Sequence, residues 1–213
     1  VVGFVAGVAG SARRAAEGDC VLAYVNLVGG QDELVFDGDS IVVDASGAVL
    51  GRSGQFDPEL LVVDLELPAA TATMPSDDER FGGLSIRRTI ITSKVFTAYE
   101  PLPTVQAVRM SRNEEIYTAL VTGLRDYVHK NGFQSVLFGM SGGIDSTLVA
   151  AIAVDALGPA NVNGISNPSA WSSEHSKSDA AEMARRTGLS LDTIPIAPIF
   201  DSYQEALHLT GLA

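Results

Sequence analysis

The chain has 213 residues, of which 46% are hydrophobic, and its formal net charge is −12. A hydrophobic share of this size predicts a folded core and argues against intrinsic disorder. The negative charge, without a clustered stripe of lysine and arginine, argues against a nucleic-acid-binding surface. The single cysteine excludes an internal disulfide and fits a reducing, cytoplasmic compartment.

The first residues are apolar but do not predict a membrane anchor. The run at residues 1–10 follows no basic segment and is too short to span a bilayer. We therefore expect a soluble chain without membrane contact. Since no initiator methionine is present, we interpret the chain as a piece of something longer, and residues 1–7 as an early strand.

Strand patterns dominate the next part of the chain. Residues 21–28 form an apolar run that predicts a buried strand, and Cys20 in front of it is interpreted as a core thiol. Residues 40–45 and 48–52 flank Ser46-Gly47, which predicts a hairpin turn. Residues 60–67 alternate well enough for one more strand.

A linker and a helix are predicted after this region. Residues 68–103 contain alanine, threonine and an acidic patch at 77–79, and they predict a linker with some strand character. Asn131-Gly132 is a plausible helix stop, and the helix before it is predicted at residues 113–130. Its apolar residues recur along one helical face: Ile116, Leu120, Leu124 and Val128.

Strand and helix patterns alternate in the rest of the chain. The predicted order is strand 135–139, helix 146–157, strand 162–166, helix 173–187, strand 191–196 and a helix near 201–208. Strands separated by single helices predict a parallel sheet with right-handed crossovers, hence an α/β fold. Ligands of such sheets bind beyond the carboxyl ends of the strands. Residues 141–146 and 166–169 are expected at that edge.

The most informative stretch is the octapeptide Gly-Met-Ser-Gly-Gly-Ile-Asp-Ser at residues 139–146. It precedes a predicted helix, where backbone N–H groups and the helix dipole favour an anion. Gly142 and Gly143 let the backbone approach bulky oxygens, while Ser141 and Ser146 offer hydroxyl donors. The carboxylate at residue 145 suits a hard cation such as Mg²⁺. The Lys-Ser/Thr ending of a Walker A sequence is missing, so this is a different phosphate-binding loop.

This octapeptide resembles the pyrophosphate loop of the ATP-pyrophosphatase superfamily, in which ATP is split between its α and β phosphates. Residues 147–158 and 172–176 are similar to glutamine-dependent NAD synthetases. Residues 24–44 are similar to the end of the nitrilase-like amidase domain of that family. The two resemblances occur in the family's order and together cover most of the chain.

The resemblance implies a fold and a domain order. The C-terminal half is expected to be a Rossmann-like parallel sheet with flanking helices, similar to adenine nucleotide alpha-hydrolases. The N-terminal part is expected to be a remnant of a nitrilase-like α/β sandwich. The expected boundaries are 1–67 for the C-terminal part of the amidase domain, 68–107 for a linker, and 108–213 for the N-terminal part of the synthetase domain.

The resemblance also implies a reaction. In this family the carboxylate of nicotinic acid adenine dinucleotide (deamido-NAD) attacks the α-phosphorus of ATP, and pyrophosphate leaves. Ammonia from glutamine then displaces AMP from the acyl-adenylate to give NAD. The implied cofactors are ATP and Mg²⁺, the implied substrates are deamido-NAD and glutamine or ammonia, and the intact enzyme is expected to be a cytoplasmic homo-oligomer.

Candidate site residues come from the same match. Ser141 and Asp145 are expected to be catalytic, and Asp145 to bind Mg²⁺. Ser166 and Asn167 are expected to contact adenosine, although the family usually carries Met and Arg where Asn167 and Ala170 stand. The loop expected to bind ATP and pyrophosphate has these members: Gly139, Met140, Ser141, Gly142, Gly143, Ile144, Asp145 and Ser146.

Part of the family's machinery is not found in the sequence. A nitrilase-type amidase needs a cysteine activated by a glutamate and a lysine. Cys20 is followed by Val-Leu rather than the family's Glu-Asp, and the lysines (Lys94, Lys130 and Lys177) all come after residue 68. We therefore expect no glutaminase triad and an incomplete enzyme. Two alternatives stay open: another pyrophosphate-loop ligase, and a non-catalytic nucleotide-binding or assembly remnant.

Overall fold

The N-terminal part of the chain begins with a helix and not with a strand. The computed structural model describes residues 4–67, 80–81, 84–85, 99–169 and 173–208. Helix α1 (Phe4–Gly18) is rich in alanine, a strong helix former. The strand expected within residues 1–7 is therefore wrong from residue 4 onward, and residues 1–3 lie outside the described part. Val8 and Ala15, seven residues apart on one helical face, pack with Ile41 and Val43.

Five short strands follow α1. They are β1 (Leu22–Tyr24), β2 (Val28–Gln31), β3 (Leu34–Asp37), β4 (Ile41–Val43) and β5 (Val49–Arg52). Strands β1, β4 and β5 form an antiparallel sheet in the order β1-β4-β5, while β2 and β3 form a separate hairpin. The predicted hairpin around Ser46-Gly47 is confirmed. Its turn has Gly47 at φ +87°, and the Asp44 carboxylate accepts from the N–H groups of Ser46 and Ala48.

Three predictions for this part of the chain are wrong. The buried strand expected at 21–28 is only the three residues of β1, because the chain leaves the sheet after Tyr24. Val25, just beyond it, is 82% exposed. Cys20 is exposed in the turn between α1 and β1, so it is not a core thiol. Residues 60–67 form no strand, and Leu60 is 86% exposed. That segment is held instead by Asp64, which accepts from the Tyr99 hydroxyl at 2.8 Å.

The predicted linker is described in part. Strands β6 (Arg80–Phe81) and β7 (Leu84–Ser85) pair antiparallel, whereas the acidic patch at 77–79 lies outside the described residues. Near the end of the linker, the Arg52 N–H donates to the Val105 carbonyl at 3.0 Å. The Ala107 N–H donates to the Arg52 carbonyl at 3.1 Å. The end of the linker therefore extends the N-terminal sheet beside β5.

Helix α2 (Arg112–Lys130) confirms the helix predicted at 113–130. Ser111 caps it through a capping box with Glu114, and Asn131 ends it. Gly132 at φ +77° lets the chain turn away. The predicted apolar face divides along the helix. Val128 near the C-terminal end is buried, whereas Leu120 in the middle of the helix is 49% exposed.

The C-terminal half is a parallel α/β unit, as predicted. Its elements are β8 (Val136–Gly139), α3 (Ile144–Leu157), β9 (Val162–Ser166), α4 (Glu174–Thr187), β10 (Ser190–Thr193) and α5 (Ala197–Ala206). The three strands pair in parallel in the order β8-β9-β10. Helix α3 begins two residues earlier than predicted. Strand β10 ends before the predicted residue 196, because Pro195 has no N–H to continue the ladder.

The larger hydrophobic core lies between one face of this sheet and helices α2, α3 and α4. Its buried members are Val128, Met140, Ala150, Ala153, Ala156, Leu157, Val162, Ala180 and Leu189. Leu137, one residue out of phase on β8, faces the other side and is 65% exposed. Among the residues that the structure describes, we find no helix with the length and apolar character that a membrane crossing requires.

Candidate phosphate-binding site

The loop after β8 leaves the sheet at the carboxyl end of the strands. The Met140 N–H donates to the Ile165 carbonyl at 2.7 Å, so the loop starts directly beside the end of β9. Met140 itself is buried, 1% exposed. A Cβ on Gly164 would lie only 3.2 Å from the Met140 sulfur, so this glycine makes room for the methionine. The expected placement of residues 141–146 and 166–169 at one edge is confirmed.

Hydrogen bonds within the loop fix its shape. The Ser146 hydroxyl donates to the Gly143 carbonyl at 3.0 Å, and the Thr147 hydroxyl donates to the same carbonyl at 2.9 Å. Ser141 Oγ lies 3.1 Å from Ser146 Oγ and accepts from the Gly143 N–H at 3.3 Å. Gly142 has φ +80°, a backbone conformation that favours glycine. The loop therefore has a defined conformation set by its own side chains.

The directions of these bonds assign the two serine hydrogens. A hydroxyl has one hydrogen, and that of Ser146 points to the Gly143 carbonyl. In the contact between the two serines either oxygen could be the donor, and Ser141 donates when the Ser146 hydrogen points to the Gly143 carbonyl. Both hydroxyl hydrogens are used inside the loop in this conformation. The sequence suggested that these hydroxyls donate directly to phosphate, but here either would first have to rotate.

Backbone amides are consequently the donors that face outward without rearrangement. Gly143 is the residue before α3 and offers no side-chain cap. The helical ladder starts where the Thr147 N–H donates to the Gly143 carbonyl at 3.0 Å. The N–H groups of residues 144–146 precede it and have no partner within the helix. Together with the helix dipole they form a site for an anion.

Asp145 lies in the first turn of α3 and is exposed. Its carboxylate makes no hydrogen bond or ion pair with any residue in the described part of the chain. In those residues no group of three or more His, Cys, Asp or Glu side chains could hold a metal by itself. A single carboxylate suits Mg²⁺, which is commonly bound by one or two carboxylates together with substrate phosphates. A carboxylate in a first turn also stabilises its helix without any metal.

Ser166 and Asn167 lie at the end of β9. Ser166 is buried, and its carbonyl accepts from the Ile194 N–H at 2.8 Å. Asn167 is exposed, and its Nδ2 donates to the Ile194 carbonyl at 3.0 Å. These bonds hold the chain after β10 beside the end of β9. Ala170, where the sequence also departs from the family pattern, lies outside the described residues.

Comparison with known proteins identifies two segments in the chain. Residues 116–211 match the family model for NAD synthase, and residues 9–74 match the family model for carbon-nitrogen hydrolase. The chain is 42% identical over 201 residues to the glutamine-dependent NAD(+) synthetase of Thermotoga maritima, an alignment covering 87% of this chain and 33% of that protein. The corresponding enzyme of Aquifex aeolicus is 43% identical over 196 residues, covering 89% of this chain and 34% of that protein.

A solved structure agrees with these matches. The glutamine-dependent NAD+ synthetase from Acinetobacter baumannii, in complex with adenosine diphosphate, superposes with a TM-score of 0.65 and 34% identity. The superposition covers 92% of this chain and 32% of that one.

The chain belongs to the glutamine-dependent NAD synthetase family. It spans about a third of the length of the curated relatives that it matches. The family and the α/β fold predicted from the sequence are thereby confirmed. The hydrolase match ahead of the synthase match also favours this family over another pyrophosphate-loop ligase.

Sequence reasoning missed the residues that join the two family segments. Asp126 on α2 accepts a hydrogen bond from the Gly30 N–H at 2.7 Å, and Lys130 donates to the Gly30 carbonyl. Asp39 is buried and ion-paired with Arg109. The adjacent glycines at 29 and 30 in an apolar stretch were the available signal, since glycine within a strand often marks a close backbone approach.

Proposed function

We propose that this chain carries the ATP-binding loop of a glutamine-hydrolysing NAD synthase, a carbon–nitrogen ligase. The reaction is the ATP-dependent amidation of deamido-NAD through an acyl-adenylate, with release of AMP and pyrophosphate and with ammonia supplied by glutamine. One observation supports this most strongly. In a member of this family, a closed Gly-Ser loop presents helix N-terminal amides at the carboxyl edge of a parallel sheet.

The loop is suited to the charge that develops in this reaction. Negative charge collects on the departing pyrophosphate, and fixed N–H groups stabilise it without reorganising. In the proposal the amides of Gly142 and of residues 144–146 contact the β and γ phosphates, with Gly139, Met140 and Ser141 leading the chain into that position. The amide of Gly143 donates to Ser141 Oγ and joins them only when that bond opens. Ser141 and Ser146 act first by holding the loop closed, and they donate to phosphate only after rotation. The removal of one such preorganised donor typically costs about 10²–10³ in rate.

A magnesium ion belongs to the proposal through Asp145. This carboxylate is exposed beside the loop amides, where it can meet a metal that also binds phosphate oxygens. When bound, the ion neutralises phosphate charge. Ser166 and Asn167 are proposed to contact adenosine. Because Nδ2 of Asn167 is engaged with the Ile194 carbonyl, the contact with adenine would use its Oδ1 as an acceptor for the amino group.

The remaining parts of the proposal concern organisation and partners. Residues 1–67, 68–107 and 108–213 are proposed as the end of the amidase domain, a linker and the start of the synthetase domain, which the two family matches support. Deamido-NAD and glutamine or ammonia are the proposed substrates. A cytoplasmic location and a homo-oligomer in the intact enzyme complete the proposal, with no nucleic-acid or membrane partner.

Crystals of this chain soaked with ATP and Mg²⁺ test the loop assignment. We expect the β and γ phosphates against the amides of Gly142 and residues 144–146 and the metal beside Asp145. A triphosphate bound elsewhere, with the loop empty, would contradict the proposal. A loop holding phosphate without metal at Asp145 would remove only the magnesium assignment.

Catalysis needs a separate assay. ATP-dependent pyrophosphate release with deamido-NAD, compared with a control lacking that substrate, distinguishes an enzyme from a nucleotide-binding remnant. Because the chain spans about a third of its relatives, we expect it to bind ATP but not to make NAD alone. NAD formed from ammonia, ATP and deamido-NAD by this chain alone would show that the expectation of an incomplete enzyme is wrong.

A further inference from the structure

Helix α2 lies at the boundary between the two family segments. The NAD synthase match begins within this helix, at residue 116, and the helix packs on the β2–β3 hairpin, which belongs to the carbon-nitrogen hydrolase match. Near its C-terminal end, Asp126 Oδ2 accepts from the Gly30 N–H at 2.7 Å. Lys130 Nζ donates to the Gly30 carbonyl. A single strand residue is thus bound through both its N–H and its C=O by side chains one helical turn apart.

Glycines make this approach possible. A Cβ on Gly29 would lie 2.6 Å from Asp126 Oδ2, and Gly29 has φ +115°. A Cβ on Gly30 would lie 3.1 Å from the Gly123 Cα, so strand and helix backbones are nearly in contact. A Cβ on Gly123 would lie 3.1 Å from Val35 Cγ2. We call this set, Gly29, Gly30, Gly123, Asp126 and Lys130, the glycine contact.

A second contact holds the N-terminal end of α2. Asp39, whose side chain is 1% exposed, pairs with Arg52 Nε at 2.9 Å and with Arg109 Nε at 3.3 Å. Arg109 also pairs with Glu115 in the first turns of α2 at 3.2 Å. The Met110 N–H donates to Gln55 Oε1 at 2.9 Å. We call the set Asp39, Arg52, Gln55, Arg109 and Glu115 the arginine contact.

Between the two contacts, the middle of α2 lies over a cavity of about 600 Å³. Its walls include Leu34 and Phe36 of the hairpin and Ile116 and Leu120 of the helix. The apolar side chains of helix and hairpin do not fill a cavity of this size, so packing there contributes less to holding α2 on the hairpin. The glycine and arginine contacts at either end are therefore the polar contacts that hold α2 against the hairpin.

Helix α2 also contacts α3, the helix whose first turn contains the end of the phosphate-binding loop. The Tyr117 hydroxyl on α2 donates to Asp155 Oδ2 on α3 at 2.6 Å. That bond to Asp155, with burial as a lesser cause, raises the pKa of Tyr117 to about 12. Val121, Leu124 and Val128 of α2 pack into the core that α3 shares. The loop forms the first turn of α3, so α2 connects it to the hairpin through continuous contacts.

We propose that Asp126 is a positioning residue that, by binding Gly30, fixes the phosphate-binding loop relative to the amidase-like segment. Without this bond the two segments rotate or separate about the arginine contact. This positioning role depends only on these contacts and not on the proposed function. The use of this rigidity, namely placing the ATP site at a set distance from the ammonia-producing segment, rests on the proposed function.

Spin labels on the two segments test this in the whole chain. In a Cys20→Ser background, Glu33→Cys labels the β2–β3 turn and Ala160→Cys labels the turn after α3, both exposed positions. Electron–electron distance measurement should give one narrow peak. In Asp126→Ala the narrow peak should be replaced by a broad distribution of distances between the two labels. Asp126→Asn should retain it, because the amide Oδ1 still accepts from the Gly30 N–H. Asp179→Ala, which removes an exposed carboxylate on α4, should leave it unchanged.

The outcomes separate the alternatives. A narrow peak retained in Asp126→Ala, with unchanged circular dichroism, would overturn the proposal. An Asn variant as broad as the Ala variant would also overturn it, because the bond to Gly30 would then not be the holding contact. If Asp126→Ala does not fold, hydrogen exchange of the Gly30 amide is compared between Asp126→Asn and the wild-type protein. The proposal requires equal protection of that amide, and weaker protection in Asp126→Asn would overturn it. No ATP is present, so failure here is independent of failure of the ATP-site assignment.

Discussion

The phosphate-binding loop and the glycine contact differ in how their residues are distributed along the chain. The loop is one run of eight residues, and the hydrogen bonds among its own side chains and backbone join residues at most five positions apart. The glycine contact joins Gly30 to Asp126 across 96 positions. A chemical site of the first kind can be found in a sequence, because its geometry is local. A structural joint of the second kind becomes visible only when the fold brings its parts together.

The largest expected effect concerns the glycine contact. Gly29→Ala places a methyl group at φ +115° and 2.6 Å from the Asp126 carboxylate. We expect a loss of unfolding free energy of about 3 kcal/mol, from left-handed backbone strain plus overpacking. Gly188→Ala is the matched control, since it has φ +77° but its nearest neighbour, Pro159 Cβ, is at 3.6 Å. Urea denaturation of both variants measures the difference, and equal losses would show that the steric contact is unimportant.

The loop is tested by a second glycine pair. Gly142 and Gly132 have nearly the same backbone, φ +80° and +77°, but only Gly142 lies in the loop. Alanine should therefore cost similar stability at both positions, whereas only Gly142→Ala should weaken the binding of Mg²⁺–ATP. We expect at least about a tenfold rise in Kd, or 1.4 kcal/mol. Calorimetric titration of both variants checks this, and similar Kd values would separate the loop from ATP binding.

The success of the sequence predictions follows the same division. Strand 162–166 and the helix ending at Lys130 were found because periodicity and capping residues are local. The buried strand at 21–28 failed because an apolar run does not show whether a neighbouring strand is present to cover it. Cys20 failed for the same reason, since its exposure depends on what packs beside the turn. The loop was found from its motif, but the hydrogen bonds between its serine hydroxyls depend on how the folded loop brings residues 141, 143 and 146 together.

Two helical glycines test how closely α2 packs on the hairpin, with a smaller expected change in stability. A Cβ on Gly10 in α1 would have no atom within 4 Å, whereas a Cβ on Gly123 in α2 would meet Val35 at 3.1 Å. Gly10→Ala should stabilise the protein by about 1 kcal/mol, because alanine is the better helix former. In Gly123→Ala the same helix-propensity gain should be cancelled, because the new methyl group is crowded by the Val35 side chain. Thermal denaturation of both variants provides the test, and an equal rise in Tm would contradict close packing of α2 on the hairpin.

The hydrogen bond between α2 and α3 should contribute a similar amount of stability. Tyr117→Phe removes the hydroxyl that donates to Asp155 while keeping the ring. We expect a loss of about 1 kcal/mol, typical of one hydrogen bond. Tyr203→Phe, at an exposed position on α5, is the control. Ultraviolet titration should also show one tyrosine with a pKa of about 12 that disappears in Tyr117→Phe. Its persistence would place the raised pKa on another tyrosine.

The smallest expected effect is a difference in the pKa values of Asp39 and Asp126, the carboxyl groups of the two contacts of α2. Burial raises the pKa of Asp39 above its ordinary value despite the facing Arg52 and Arg109. Burial also acts to raise the pKa of Asp126, but the Gly30 N–H and the cations of Arg125 and Lys130 lower it below its ordinary value. As pH falls, Asp39 should therefore take up its proton first.

The two carboxyls then have opposite effects on stability. A raised pKa in the folded state means that Asp39 contributes stability below its unfolded pKa, and that this is lost as pH rises through the folded pKa. Asp126 contributes stability above its unfolded pKa, and this is lost as pH falls through its lower folded pKa. Carboxyl carbon shifts followed from about pH 6 downward should show Asp39 titrating above Asp126. The reverse order would mean that Gly30 does not hold the Asp126 carboxylate in its charged form, and the glycine contact would then lose its main polar bond.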